Sequence, residues 1–150
     1  LDELEAAGDG AVPTEQIVRA LLTPVFEKWC EWGQNDPKFL KLVGRIHAEV
    51  DQELRAKFIK QFDTVFRRFS SAFQRSLPDL DEAEVHWRVL FLIGSMAYTM
   101  TWAESIITTD DHARRDPEEI LEFLIQFATT GMAAAPALQP VGVQASRRSR

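Results

Sequence analysis

The most constraining feature of this sequence is a segment, residues 85–107, that is apolar on nearly every face of a helix. Within it, residues 89–103 include no charged side chain. That stretch is shorter than the roughly 20 apolar residues that span a bilayer, and it contains Ser95, Thr99 and Thr101. It therefore predicts a buried helix and no membrane association. One neighbouring helix in a small monomer would leave part of this surface uncovered, which indicates that a second chain covers the rest.

Apolar residues recur at intervals of three and four through most of the remaining chain, and no segment alternates with the period of a strand. Asp81 and Asp116-Pro117 are typical helix starts, because an acid caps the first turn and proline fits the first helical position. The pattern predicts an all-α bundle of about five helices with an N-terminal helical stub. The predicted helices cover 1–7 (the stub), 14–32, 37–50, 51–76, 81–107 and 117–132. We expect one domain over residues 1–134 and a disordered tail, rich in Ala and Pro, over 135–150.

The charge distribution argues against nucleic-acid binding by the chain itself. The net charge is −6, and three arginines lie within the last four residues, so the preceding body is still more acidic. An acidic body does not neutralise phosphates, and a short basic end is more often a solvated tail than a binding site. Cys30 is the only cysteine, which fits a reducing compartment and predicts a cytoplasmic protein.

The search for chemistry predicts no enzyme, no catalytic residue, no metal site and no cofactor. The three histidines are far apart in sequence, and there is no Glu-x-x-His, Gly-x-Ser-x-Gly or Gly-rich phosphate loop. Asp110-Asp111-His112 could bind a metal ion, but such an acidic loop is more often a solvated turn. Cys30 has no base beside it in the sequence, which favours an inert thiol.

Ten Phe and four Trp against one Tyr give a bulky apolar interior with few hydroxyl groups. Any one ring is more often core than ligand contact. Together the rings are difficult to pack without leaving space, and methionine is an adaptable neighbour for such a space. Arg45 and Arg88 lie in apolar helical faces and could bind a ligand carboxylate, although each also has an i,i+4 glutamate. We predict a ligand-binding set of Trp29, Phe62, Phe66, Phe69, Trp87, Arg88, Phe91 and Met96.

Several segments resemble a known family. LDELEAAGDG followed by EQIVRALLTPVFEKW resembles the junction after the helix-turn-helix unit of TetR-family transcriptional regulators. FIKQFDTVFRRFSSAFQRSLPDL and EAEVHWRVLFLIGSMAYTMTWAESI resemble the pocket-forming and dimer-forming helices of that family. HWRVLFLIGSMAYTM, with ILEFLIQFATTGMAA, is most similar to the fatty-acid-responsive branch of PsrA-like repressors.

The resemblance implies a homodimer in which helices 81–107 and 117–132 pair with their two-fold mates. It places the interface on Val89, Leu92, Ile93, Met96, Met100, Ile120, Leu124, Phe127 and Ala128. It also implies that the helices from 14 to 76 enclose a small hydrophobic or acyl effector, and that the whole regulator represses transcription. No helix-turn-helix is present in the sequence, and the chain starts within a helix, so we expect operator DNA to be bound only through a domain missing from this sequence.

Two other interpretations remain open from the sequence. The chain could be a helical dimeric interaction module without a small-molecule ligand, its rings serving only as core. It could also be a small all-α enzyme, which would need two carboxylates and a histidine inside one cavity. An apolar cavity of a few hundred Å³ would favour a sensor, and a filled interior would favour the module.

Overall fold

The computed structural model of the chain describes residues 1–6, 10–35, 52–109 and 115–136, and every regular element among them is an α-helix. The helices are α1 (Asp2–Ala6), α2 (Thr14–Asn35), α3 (Gln52–Ser76), α4 (Glu82–Thr109) and α5 (Pro117–Met132). The all-α prediction is confirmed, and each of these helices agrees with its predicted bounds to within a turn. The predicted helix 37–50 lies outside the described residues, as do Arg45, the loop 110–112 and nearly all of the predicted tail.

Local side-chain chemistry accounts for where α4 and α5 begin. The Asp81 Oδ1 atom accepts the backbone N–H of Glu84 at 2.7 Å, which satisfies one of the free donors in the first turn of α4. At the start of α5, the Glu119 carboxylate accepts the backbone N–H of Asp116 at 3.2 Å, with Pro117 as the first helical residue.

The start of α2 does not use Thr14 as its cap, although threonine is a common capping residue. The first helical hydrogen bond runs from the Ile17 N–H to the Pro13 carbonyl, so α2 already includes Thr14. The Thr14 Oγ1 atom instead shares a hydrogen bond with Ser76 Oγ at 2.8 Å. This bond ties the beginning of α2 to the end of α3.

Helices α2 to α5 run alternately up and down around one core. The Thr14–Ser76 bond places the start of α2 beside the end of α3, and Arg88 near the start of α4 contacts the last carbonyls of α5. Helix α2 packs on α5, α5 on α4, α4 on α3, and α3 on α2. The largest fully buried side chains come from all four helices: Ile17, Val18, Leu22, Phe26, Phe73, Val85, Val89 and Ile125.

The short helix α1 is fastened to α3. Leu1 and Leu4 pack against the core, partly buried. On the other side, Asp2 and Glu5 form ion pairs with Arg68, and Glu5 also pairs with Arg75. All of these charged groups keep a substantial exposed fraction, so their attraction is screened by solvent and salt.

Candidate functional site

The most distinctive surface of the molecule is a set of six exposed rings on α4 and α5. Each keeps between 50% and 68% of its surface exposed, far more than a ring packed in a core. We call this set the aromatic face: Trp87, Phe91, Tyr98 and Trp102 on α4, and Phe123 and Phe127 on α5.

The helical repeat places these rings side by side. On α4 they are spaced by four, seven and four residues, which keeps them on one side of the helix. The ring centroids of Trp87 and Phe91 lie 6.0 Å apart, and those of Tyr98 and Trp102 lie 6.2 Å apart. Gly94 lies midway along the stripe, and a Cβ atom added there would meet nothing within 4 Å. The surface around it is therefore open to a close neighbour.

The residues predicted for the dimer interface lie mostly on the opposite side of the same helices. Four are buried in the core of their own chain: Val89, Leu92, Leu124 and Ala128. Four more pack against that core and are half-buried: Ile93, Met96, Met100 and Ile120. Of the predicted set, Phe127 alone is exposed. The four buried side chains have no surface to offer a second copy, the half-buried four have some, and the most exposed apolar side chains of these helices are those of the aromatic face.

The predicted ligand-binding residues divide into three groups. Phe69 is buried in the core, and Trp29, Phe66 and Met96 pack against it half-buried. Trp29 meets Phe26 edge to face with centroids 5.0 Å apart. Trp87 and Phe91 belong to the aromatic face, and Phe62 is 52% exposed on α3. Four of the eight therefore belong to the core cluster or pack against it.

Arg88, the eighth residue, is engaged within the chain. Its side chain is 10% exposed and pairs with Glu84, which is 17% exposed. Its Nη1 atom donates to the carbonyls of Gly131, Met132 and Ala134 at 3.2, 2.6 and 2.7 Å. Its Nη2 atom also donates to the Ala135 carbonyl at 3.0 Å. Since both terminal nitrogens are engaged, Arg88 caps the C-terminal end of α5 and is not available to a ligand carboxylate.

Comparison with known proteins identifies the fold. Residues 19–131, three-quarters of the chain, match the family described as Tetracyclin repressor-like, C-terminal domain. The chain belongs to this family. No curated protein and no solved structure matches it. The TetR-type C-terminal domain is a regulatory domain for ligand binding and dimerisation, and such domains are typically not enzymes.

Two buried polar atoms in α2 of this TetR-type domain have no hydrogen-bond partner among the described residues. They are the Trp29 Nε1 and Thr23 Oγ1 atoms; Ser70 and Gln74 on α3 and Thr129 on α5 each have one such atom as well. An unpaired buried donor costs about 1–3 kcal/mol, so such atoms are expected where a ligand or water supplies the missing bond. Trp29 belongs to the predicted ligand-binding set because of its ring. The unpaired state of its N–H group is not predictable from the sequence, because the partners of a donor depend on tertiary packing.

An ion pair on the outside of the TetR-type domain joins α2 to α5. The Arg19 Nη1 and Nη2 atoms donate to the two Glu122 carboxylate oxygens at 2.5 and 3.0 Å, and Nη2 also donates to Glu15 at 3.2 Å. These hydrogen bonds lower the pKa of Glu122 below its ordinary value and raise the pKa of Arg19. On the same helix, partial burial raises the pKa of the Cys30 thiol, with a smaller contribution from the negative charge of Glu118.

The lowered pKa of Glu122 predicts a pH-dependent contribution to stability. The folded state holds this carboxylate more acidic than the unfolded state, so the contribution is complete above the ordinary carboxylate pKa of about 4.3. It is lost as the pH falls through the lowered value. We expect Glu122→Gln to reduce Tm slightly at pH 7 and by less at about pH 3, because the contribution shrinks once the pH is below the ordinary carboxylate pKa. Thermal denaturation followed by circular dichroism at both pH values checks this, and an equal difference at both would contradict it.

The described residues show no other prominent site. No group of three or more His, Cys, Asp and Glu side chains among them could hold a metal ion. A depression at the start of α4 is open to solvent and lined by Asp81, Glu82, Ala83, His86 and Trp87. Within the same residues, no helix combines the length and the apolar character needed to cross a membrane.

Proposed function

We propose that this chain is the effector-sensing and homodimerisation domain of a TetR-type repressor, with residues 1–134 as the folded domain. The observation that carries the proposal is the aromatic face. Six rings that are half to two-thirds exposed leave roughly 550–900 Å² of apolar surface. A monomer rarely exposes a patch larger than about 300–600 Å², and a standard interface buries about 800 Å² on each partner. The aromatic face is thus of the size that a second copy would cover.

The effector in this proposal is a small hydrophobic or acyl compound, as in the fatty-acid-responsive PsrA-like branch. Trp29, Phe66 and Met96, which pack half-buried against the core from three different helices, are the apolar groups that would contact it. The Trp29 Nε1 and Thr23 Oγ1 atoms, buried in α2 without a partner among the described residues, are the polar groups that would orient it. A mostly apolar site with a few polar groups that fix orientation is typical of small-molecule pockets.

The effector would control operator binding by a separate helix-turn-helix domain, and the regulator would act in the cytoplasm. Such control requires a helix that contacts both the core and the N-terminal helix α1, and α3 contacts both. Phe66 and Phe69 on one side pack on the core, while Arg68 and Arg75 hold α1. An effector that shifts α3 would therefore shift α1. A coupling of about 1–3 kcal/mol corresponds to a change in operator affinity of roughly 5- to 150-fold.

Isothermal titration of the 150-residue chain with dodecanoic acid and with palmitic acid tests the effector class. We expect saturable binding that Phe66→Ala weakens by up to about tenfold, since removing a half-buried ring loses part of the about 1.5–3 kcal/mol that full burial of a Phe contributes. Val65→Ala is the matched control, because Val65 is adjacent in sequence and 46% exposed. The acyl effector is excluded if neither acid binds, or if both variants bind as the unmodified chain does.

The interaction module without a ligand remains the second candidate, and one observation favours it. Phe69 and Phe73 are packed inside the core, with 9% and 0% of their surfaces exposed, so these two rings serve the core. The two candidates share the dimer and differ only in the effector. A chain that is dimeric in native mass spectrometry, carries no small molecule and binds neither fatty acid would support the module.

A further inference from the structure

The positions of the six exposed rings along α4 and α5 also indicate how two copies of the chain would align in the proposed dimer. This alignment, which we call the register, specifies which residues of the two copies face each other, and it rests on the proposed homodimer. In a two-fold symmetric pair of antiparallel helices, residue i of one copy faces residue j of the other, and i plus j is constant. The rings of the aromatic face can be tested against this condition.

On α4 the ring positions satisfy this symmetry condition, because they form two pairs with one common midpoint. Trp87 and Trp102 are equidistant from the midpoint between Gly94 and Ser95, and Phe91 and Tyr98 are equidistant from the same midpoint. A partner helix running antiparallel across this midpoint would place Trp87 against Trp102 of the second copy. It would also place Phe91 against Tyr98 of the second copy. Every exposed ring of α4 then meets another ring.

Helix α5 adds a check on the level of the axis: its two exposed rings always have a midpoint, and a single two-fold axis requires that midpoint to lie level with the centre on α4. Phe123 and Phe127 are symmetric about residue 125, so an antiparallel α5 pair centred there places each against the other of the second copy. The two centres lie at the same level of the bundle. The hydrogen bond from Arg88 to the Met132 carbonyl places these two residues side by side. The centre on α4 lies about 10 Å along that helix from Arg88, and the centre on α5 lies about 10 Å along that helix from Met132, in the same direction. The levels agree to within about one turn of helix, 5.4 Å.

Gly94 fits the centre of such a pair. Its own chain does not require a glycine there, since an added Cβ would meet nothing, and glycine costs about 1 kcal/mol relative to alanine inside a helix. Residues 89–103 contain no charge that would be left unpaired under a partner. A small residue at the crossing lets two helices approach more closely than the usual 8–10 Å between axes.

We propose that two copies of this chain pair about a two-fold axis perpendicular to the helices, which passes between Gly94 and Ser95 of α4 and near residue 125 of α5. The partner's α4 and α5 lie antiparallel on their counterparts. Gly94 is the point of closest approach, and the ring pairs 87–102 and 91–98 close the interface on either side of it.

A charge-pair rescue tests this register. Phe91→Glu alone and Tyr98→Lys alone should each raise the dimer Kd at least about a hundredfold, because each leaves an unpaired charge in an apolar interface. Combining Phe91→Glu with Tyr98→Lys should recover at least about tenfold of that loss, since the two charges would face each other. The mismatched combination Phe91→Glu with Trp102→Lys should recover none. Equal recovery in both combinations, or none in either, overturns the register.

Cross-linking gives a second measurement that does not depend on charged variants. In a Cys30→Ser background, Gly94→Cys places two thiols about 1.5 Å apart along the helix axis, and Trp102→Cys places them about 22 Å apart. A bis-maleimide that spans about 10 Å, the usual separation of packed helices, should link the first variant and not the second. Linking of Trp102→Cys as efficiently as Gly94→Cys overturns the register. If the unmodified chain is monomeric, the proposed dimer itself fails; if it is dimeric and these contrasts are absent, only the register fails.

Discussion

Combining Phe91→Glu with Phe127→Glu is expected to convert the homodimer into folded monomers. The two rings are 64% and 68% exposed in the single chain, so glutamate is well solvated there and the helices remain intact. In the dimer the same carboxylates would lie unpaired between apolar surfaces, and symmetry places each of them in the interface twice. We expect the dimer Kd to rise at least about a thousandfold, which corresponds to about 4 kcal/mol.

Sedimentation velocity at matched concentrations measures this change, and far-ultraviolet circular dichroism verifies that helix content is retained. Val65→Glu provides the control, because Val65 on α3 is 46% exposed but lies outside the aromatic face. It should leave the Kd within a few-fold of the unmodified chain. A double variant that sediments as a dimer at the original Kd would disprove the assignment of this interface.

Arg88→Ala is expected to lower the free energy of unfolding by about 2–3 kcal/mol, because it removes a largely shielded ion pair and leaves carbonyls at the end of α5 without their donor. The substitution leaves the Glu84 carboxylate, 17% exposed, without its arginine. It also removes the donors to four carbonyls at the end of α5. A domain of this size has a stability of about 5–15 kcal/mol, so a loss of this magnitude is a large part of the total.

Urea denaturation of the chain, at a fixed protein concentration, measures the effect. Arg67→Ala is a matched control, since Arg67 forms an i,i+4 pair with Asp63 but is 75% exposed. It should change stability by no more than about 0.5 kcal/mol. Arg88→Lys should restore little, because an ammonium cannot reach the same fork of carbonyl acceptors. If Arg88→Ala and Arg67→Ala prove equally mild, the capping role assigned to Arg88 is refuted.

The fold was largely predictable because its signals are local. Asp81 and the Asp116-Pro117 pair determine where α4 and α5 begin, through hydrogen bonds and backbone angles of the first turn. The apolar residues of α3 repeat at three and four residues, and Phe66, Phe69 and Phe73 among them do pack in or against the core, while Phe62 and Val65 are exposed. Thr14 shows the limit of such reasoning: its hydroxyl bonds to Ser76, which is 62 residues away.

The candidate site was less predictable, because it depends on which apolar residues are covered. Arg88 illustrates this: an arginine in an apolar face suits a carboxylate ligand or a structural bond, and in the sequence only the i,i+4 glutamate, Glu84, favours the structural bond. Its role follows from the position of the last turn of α5, 43 to 47 residues away in sequence. Likewise, the sequence placed Trp87 and Phe91 beside the ligand, but the structure leaves them 56% and 64% exposed on the aromatic face.

Helix α4, which is apolar on nearly every side, shows what the sequence determined and what only the tertiary structure determined. The sequence by itself determined that this helix has more apolar surface than one small chain covers, because no polar side interrupts residues 89–103. For the same reason the sequence could not show which side of the helix faces the core, because an apolar side can be recognised only where the opposite side is polar. Only packing against α3 and α5 decided that Val89 and Leu92 point inward while Phe91 and Tyr98 remain outside. Burial is a property of the neighbours that a side chain meets, and those neighbours come from distant parts of the chain.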